Sequence, residues 1–77
     1  MTAEFDRQLD TRGLNCPLPI LKTKRELVRM EPGQRLYVIA TDPASVQDFS
    51  AFAEHTGHRL LKSETRDDEF HFLLERT

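Results

Sequence analysis

The sequence predicts an α/β fold, a two-layer sandwich of order βαβαββ with two helices on one face of a mixed four-stranded sheet. The apolar run Leu36–Ala40 is typical of a strand that other elements cover. Apolar residues at helical spacing on either side of this run predict two crossover helices, which favour parallel strands. Alternating apolar residues near the C-terminus predict a final strand, and the hairpin that it closes must be antiparallel.

The first half of the chain is expected to hold a short strand, a helix and the apolar strand. The first strand covers residues 5–11, and the turn residues of 12–15 end it. The helix covers residues 17–30, with Pro17 at the first helical position, where no backbone donor is needed. Its apolar stripe is expected to consist of Ile20, Leu21, Leu27 and Val28. The pair Pro32-Gly33 follows the end of this helix.

The second half is expected to hold a helix and a hairpin. Asp42 and Pro43 are expected to be the N-cap and first residue of the second helix, which Gly57 closes. The apolar stripe of this helix is predicted to be Val46, Phe49, Phe52 and Ala53. Strands over residues 58–66 and 69–76 are joined by two aspartates. Right-handed crossovers place both helices on one face only if the strand order continues in one direction.

Composition narrows the classes of function. The 77 residues are expected to form one domain, and 13 acidic against 11 basic residues give a net charge of −2. This balance disfavours a dedicated nucleic-acid binder, which normally carries a basic domain. No apolar run approaches the roughly 20 residues that span a bilayer, and the acidic start lacks the apolar region of a signal peptide. We therefore expect a cytoplasmic protein that is monomeric and has no direct membrane role.

The chain contains one cysteine, so it cannot form an internal disulfide. Cys16 follows a turn and is expected at the N-cap of the first helix, with Arg12 nearby. The helix dipole and this cation predict a thiol pKa below that of free cysteine. Pro17 and Pro19 remove backbone donors, so the expected activation is moderate. The alternative is a small buried hydrophobe, which many lone cysteines are; the position after a turn favours a reactive thiol.

A single thiol limits the chemistry. A dithiol oxidoreductase needs a second cysteine, and a structural zinc site needs about four ligands, so no metal or cofactor is expected. His55, His58 and His71 are expected to be surface or strand residues rather than catalysts. One exposed thiolate can accept and donate a group, such as sulfane sulfur held as a persulfide.

Residues 12–19 read Arg-Gly-Leu-Asn-Cys-Pro-Leu-Pro and contain a Cys-Pro-x-Pro motif. With the later Pro32-Gly33, the apolar strand and Asp-Pro-Ala at 42–44, this motif resembles the TusA/SirA family of sulfur carriers. The resemblance covers the chain from about Leu9 to Glu75, in the same βαβαββ order.

The resemblance implies that Cys16 carries sulfur as a persulfide, which makes the protein a sulfurtransferase acting as a relay. The donor would be a cysteine desulfurase or a rhodanese-like protein, and the acceptor a thiol protein of the DsrE/TusD type. The routes known in the family include 2-thiolation of tRNA wobble uridine, molybdenum-cofactor supply and oxidative sulfur metabolism. The remaining matches to the motif and its surroundings are Asp10, Arg12, Gly13, Pro17 and Pro19.

A docking surface for an acidic partner is expected on the first helix. Its members are the apolar residues flanking the cysteine and cations along the helix: Leu14, Leu18, Lys22, Arg25 and Arg29. A solvated cationic face is the simpler alternative for these residues. Two other functions stay open, a noncatalytic RNA-binding module and a regulatory interaction domain with an incidental thiol. Both predict that Cys16 can be replaced without loss of function.

Overall fold

A computed structural model describes residues 5–77 of the chain. Its elements are β1 (Arg7–Thr11), α1 (Leu18–Val28), β2 (Arg35–Ala40), α2 (Ser45–Thr56), β3 (Arg59–Arg66) and β4 (Glu69–Glu75). The predicted order and α/β class are confirmed. Residues 1–4, which include part of the predicted acidic start, lie outside the described residues. Neither of the two described helices is long and apolar enough to cross a membrane.

The four strands form one mixed sheet in the order β1-β2-β4-β3. β1 runs parallel to β2, and β4 runs antiparallel to both of its neighbours. Each crossover therefore moves in the same direction across the sheet, from β1 to β2 and from β2 past β4 to β3. Since right-handed crossovers in one direction place their helices on the same side, α1 and α2 share one face, as predicted.

The hydrophobic core lies between this sheet face and the two helices. Leu27 of α1 and Phe49 of α2 are buried there against Val38 of β2 and Phe72 of β4. The rings of Phe49 and Phe72 stack with centroids 4.2 Å apart. Because the two rings come from α2 and the centre of the sheet, their contact fixes the distance between these layers.

The apolar stripe predicted for α1 was partly wrong. Leu21 and Val28 are 53% and 71% exposed, whereas Thr23 and Leu27 are buried. An α-helix turns about 100° per residue, so a helix that faces the sheet with Leu27 also faces it with residues three and four positions away. Val28 is turned away from that side. The outer face of α1 consequently mixes exposed apolar residues with cations.

Both helices begin later than the sequence suggested. Pro17, and not Cys16, is the N-cap of α1. Ala44, and not Asp42, is the N-cap of α2, which begins at Ser45 after a turn at residues 43 and 44. The Asp42 carboxylate accepts the Ala44 N–H at 3.1 Å, and the Asp42 carbonyl accepts the Ser45 N–H at 2.9 Å. Asp42 therefore stabilises the turn that leads into α2, as an aspartate favours in Asx turns. At the other end, Gly57 closes α2, as predicted, and it does so in the left-handed conformation.

The sheet face opposite the helices carries a chain of polar contacts. The Tyr37 hydroxyl and Nδ1 of the buried His71 lie 2.5 Å apart, and Nε2 of the same ring lies 3.1 Å from Glu69. Arg12 donates to Glu69 at 3.2 Å and makes two side-chain hydrogen bonds of 3.0 Å to Asp10. The contacts link β2 and β4 to the residue that follows β1. They hold the start of the next loop against the sheet.

Phe49→Ala is expected to lower the free energy of unfolding by about 3–5 kcal/mol, because it removes a fully buried ring and leaves a cavity. Urea denaturation followed by circular dichroism measures the loss. The control is Val28→Ala on the exposed side of α1, which should stay within about 0.5 kcal/mol of the wild type. Equal effects of the two substitutions would contradict this description of the core.

Hydrogen bonding to Arg12 holds the pKa of Asp10 and of Glu69 below their usual range. Arg12→Gln should therefore raise both pKa values, since it removes the main hydrogen-bond donor and the charge that stabilise the carboxylates. Carboxyl chemical shifts followed by NMR against pH measure both groups. Arg59→Gln, which changes charge equally on β3, should leave them unaltered. Unchanged titration of both carboxyls in Arg12→Gln would contradict these contacts of Arg12 with Asp10 and Glu69.

Candidate functional site

The loop that carries the cysteine is anchored at the carboxyl ends of two parallel strands. At the end of β1, the buried Thr11 donates its hydroxyl to the Ile39 carbonyl at 2.6 Å. Gly13 has φ of +80°, which favours glycine, and its N–H donates to the Thr41 hydroxyl at 2.9 Å. These bonds tie both sides of the turn to β2 or to the residue after it. The positive φ at Gly13 accounts for the glycine that precedes the motif.

Cys16 lies at the end of this loop and is exposed. Its N–H donates to Oδ2 of Asp42 at 2.6 Å, and the Cys16–Pro17 peptide bond is cis. The same carboxylate holds the turn into α2, so the cysteine is fixed to the entrance of that helix. The sequence assigned Asp42 to capping alone. Its bond to the cysteine backbone joins residues 26 positions apart, which no local pattern reveals.

A cleft of about 410 Å³ opens beside the cysteine, between the start of α1 and one face of α2. Cys16 and Ile20 line one side, and Asp48, Phe52 and His55 of α2 line the other. Ile20 and Phe52 are half-buried and pack against the core, so they form an apolar floor. The thiol therefore has an apolar surface on one side and a carboxylate close by.

The structure contradicts the predicted direction of the cysteine pKa. Hydrogen bonding to Asp48 is the main cause that raises the pKa of the Cys16 thiol above its ordinary value. Partial desolvation and the negative charges of Asp48 and Asp42 act in the same direction. Two carboxylates next to a sulfur disfavour a third negative charge, so the resting group is a thiol rather than a thiolate.

Two features were expected to lower the thiol pKa: the Arg12 cation and the start of α1. Neither is arranged as predicted. Arg12 is bound to Asp10 and Glu69 on the open sheet face, and its charge does not contribute to the shift of the thiol pKa. The Leu18 N–H, a donor of the first helical turn, bonds to the Asn15 carbonyl at 2.8 Å. Since proline has no N–H, Pro17 and Pro19 supply no donor either. Residues 17–19 thus offer the sulfur no free backbone N–H.

The residues predicted for docking lie on or near α1. Leu18 is 44% exposed in its first turn, and Leu14 is half-buried in the preceding loop. The cations of this set are exposed along the same helix: Lys22, Arg25 and Arg29. Leu21 and Val28, predicted to be core, join them on the outer surface. The result is an amphipathic outer face that starts beside the cysteine.

Two residues of the cleft were missed from the sequence. Asp48 was not considered, and His55 was expected to be a surface or strand residue. They are seven residues apart on α2 and so share one face of that helix, with Phe52 between them. This spacing was a usable signal, but only the packing of α2 against α1 shows that the face meets the cysteine. Across residues 5–77, no group of three or more His, Cys, Asp and Glu side chains is arranged to hold a metal ion.

A family model described as "Sulfurtransferase TusA" matches residues 7–76 of the chain. The chain is also 55% identical over 75 residues to the sulfur carrier protein TusA of Allochromatium vinosum. That match covers 97% of this chain and 99% of the relative.

The fold has a solved counterpart in the SirA-like protein of Desulfitobacterium hafniense. The two structures superpose with a TM-score of 0.81 over 91% of this chain and 96% of the other, at 22% sequence identity. This likeness concerns the fold, and the family rests on the near-complete sequence matches. The chain belongs to the TusA family of sulfur carriers.

Proposed function

We propose that Cys16 accepts sulfane sulfur from a donor protein as a persulfide and passes it to a thiol of an acceptor protein. The observation that carries the proposal is the position of the cysteine. The one cysteine of the chain is exposed at the mouth of a cleft, on a loop fixed by Asp42 and by the ends of β1 and β2. A group held this way can be presented to two partners in turn. No second thiol of the same chain can displace the sulfur as a disulfide.

The loading step balances without an oxidant. Sγ of Cys16 attacks the terminal sulfur of the donor persulfide, forming a new S–S bond while the S–S bond of the donor breaks. The electron pair of the broken bond stays on the donor sulfur, which takes up the proton that leaves Cys16. Unloading repeats the exchange, with the acceptor thiol as attacking group and Cys16 as leaving group.

Membership of the family supports a proposal for the partners and the route. We propose a cysteine desulfurase or rhodanese-like protein as donor and a DsrE/TusD-type protein as acceptor. The proposed destination is 2-thiouridine in tRNA or another route of sulfur trafficking. The relative from Allochromatium vinosum, which is named as a sulfur carrier, supports the carrier role, and gene neighbours of this chain would separate the routes.

The outer face of α1 is the proposed docking surface for these partners. It begins at Leu18, next to the cysteine, and continues through Leu21, Arg25 and Arg29, all of them exposed. Exposed apolar residues among cations suit a transient contact with an acidic surface. Rim charges mainly raise the association rate and set specificity, which suits a carrier that meets two proteins briefly.

The RNA-binding alternative fits this structure less well. Single-stranded nucleic acid requires a basic surface with exposed aromatic rings. The open sheet face instead carries the carboxylates of Asp10 and Glu69, and its Tyr37 ring is stacked on Phe5 with centroids 5.2 Å apart. Both carboxylates are bound to Arg12, so this cation is already paired and is not presented to a phosphate group.

Incubation with a cysteine desulfurase and cysteine is expected to add one sulfur atom to the protein, detected by intact-mass spectrometry. Reduction should remove the added mass, and Cys16→Ser should abolish it, because the oxygen nucleophile cannot form the persulfide. Asn15→Ala serves as a matched control, since it alters the same loop and keeps the thiol. An unmodified wild type after exposure to several desulfurases and rhodanese-like donors would overturn the sulfur-carrier proposal.

Charge reversal on α1 is expected to slow loading by a protein donor. Arg25→Glu should reduce the second-order rate by about three- to ten-fold at low ionic strength, because it places a like charge against an acidic partner. Quenched-flow sampling followed by mass spectrometry measures the rate. Added salt should narrow the difference, since it screens exposed charges.

The control for this measurement is Arg59→Glu. It makes the same change of charge at the start of β3, which lies at the far edge of the sheet from β1. Its loading rate should match that of the wild type. If both reversals slow loading equally, net charge rather than the outer face of α1 governs the association.

A further inference from the structure

The cleft beside Cys16 differs in charge from the outer face of α1. Asp48 lines the cleft with the thiol, and Asp42 binds the Cys16 backbone at 2.6 Å. Both carboxylates act electrostatically on the sulfur. The mouth of the cleft is therefore acidic, whereas the exposed helix next to it is cationic.

The carboxylates of Asp42 and Asp48 have different structural roles. Asp42 accepts backbone N–H groups from Cys16 and Ala44, so its position is required by the loop and by the turn into α2. Asp48 lies in the first turn of α2, half-buried, with its contact to the thiol in the cleft. A carboxylate is favourable in a first helical turn, but helix stability does not require it to face the one cysteine. Its placement in the cleft calls for an explanation connected with the thiol.

We propose that Asp48 makes the cleft select its sulfur donor by charge, admitting a cysteine-bearing loop that carries Lys or Arg and disfavouring anionic persulfides. The proposal rests on the proposed sulfur relay through Cys16 and names the partner chemistry that this relay would use. The occupant of the cleft is a loop of the donor protein, with its cation paired to Asp48 and its persulfide sulfur against Cys16.

Three properties of the cleft support this occupant. An ionised persulfide that approaches Cys16 meets the negative charges of Asp48 and Asp42, and like charges brought together oppose binding. A cation on the same loop offsets this repulsion by pairing with Asp48. The half-buried Ile20 and Phe52 provide apolar surface for the aliphatic part of a Lys or Arg side chain.

The pairing also acts on the reacting sulfur. In the free protein, Asp48 favours the protonated thiol, which is a weaker nucleophile than the thiolate. A donor cation bound to Asp48 removes part of this effect, so the proton leaves Cys16 more readily when the donor is seated. The proton then passes to the departing donor sulfur, as in the loading step above. Selection and activation would therefore occur through the same contact.

Charged thiol reagents test the selectivity without any protein partner. Two methanethiosulfonates, one with a trimethylammonium group and one with a sulfonate group, are reacted with Cys16, and the ratio of their rates is measured. Asp48→Asn is expected to lower the cation-to-anion rate ratio by about three- to five-fold at low ionic strength. Asp48→Glu should retain the wild-type preference, which separates charge from fold.

Glu31→Gln is the matched control, because it removes one negative charge beyond the far end of α1 from the cysteine. Its rate ratio should equal that of the wild type. A ratio that is the same in wild type and Asp48→Asn, or that changes equally in Glu31→Gln, would overturn the selective role of Asp48.

Peptide persulfides test the predicted donor chemistry. Two synthetic peptides that carry a cysteine persulfide, with either Lys or Glu next to the cysteine, are offered to the protein. The Lys peptide should load wild-type Cys16 faster, and Asp48→Lys should reverse the preference. Equal loading by both peptides, with sulfur still accepted on Cys16, would overturn the charge selection and leave the carrier function intact. Failure of both peptides and of every protein donor would instead overturn the carrier function.

Discussion

The hydrogen bonds to Asp42 are the contacts on which the arrangement of the site depends. One oxygen of this carboxylate accepts the Cys16 N–H at 2.6 Å, and the other accepts the Ala44 N–H at 3.1 Å. A single side chain thus joins the cysteine loop before α1 to the turn before α2. Because hydrogen bonds to a charged acceptor are stronger than those between neutral groups, the distance between the two loops is held firmly. The same contact keeps the cysteine beside α2, whose side chains line the other side of the cleft.

The parallel pairing of β1 and β2 brings these two loops together in the first place. Parallel strands end at the same edge of a sheet, so the loop after Thr11 and the loop after Ala40 emerge next to each other. Sites in open α/β sheets commonly form outside the carboxyl ends of the strands for this reason. The core contributes indirectly, since the stack of Phe49 on Phe72 sets the position of α2 and hence of Asp48, one residue before. The chemistry of the site therefore depends on packing within the two-layer sandwich.

The sequence was sufficient for the elements and for the exposure of Cys16, and insufficient for the electrostatics around its thiol. Strand and helix periodicity are local, so the βαβαββ order and the exposed Cys16 followed from residues near one another. The buried face of α1 could not be predicted in this way. Leu21 and Val28 fit an apolar stripe as well as Leu27 does, and only packing against the sheet decides which face is buried. The direction of the thiol pKa depends on Asp48, which lies 32 positions away in the sequence. No pattern confined to residues 10–19 contains that information.

A thiol held in its protonated form suits a carrier with one cysteine. Thiolates are the species that react with oxidants and alkylating agents, and the higher oxidation products of cysteine are irreversible. Cys16 is exposed and its chain has no second thiol to trap a first oxidation product as a disulfide, so in the proposed relay the acidic cleft would limit oxidation of Cys16 between encounters. The cost is slower attack on any persulfide. In the proposed relay the partner offsets this slow attack, because the cation that it would bring to Asp48 favours the thiolate. The effect would last only while the two sulfur atoms are in contact.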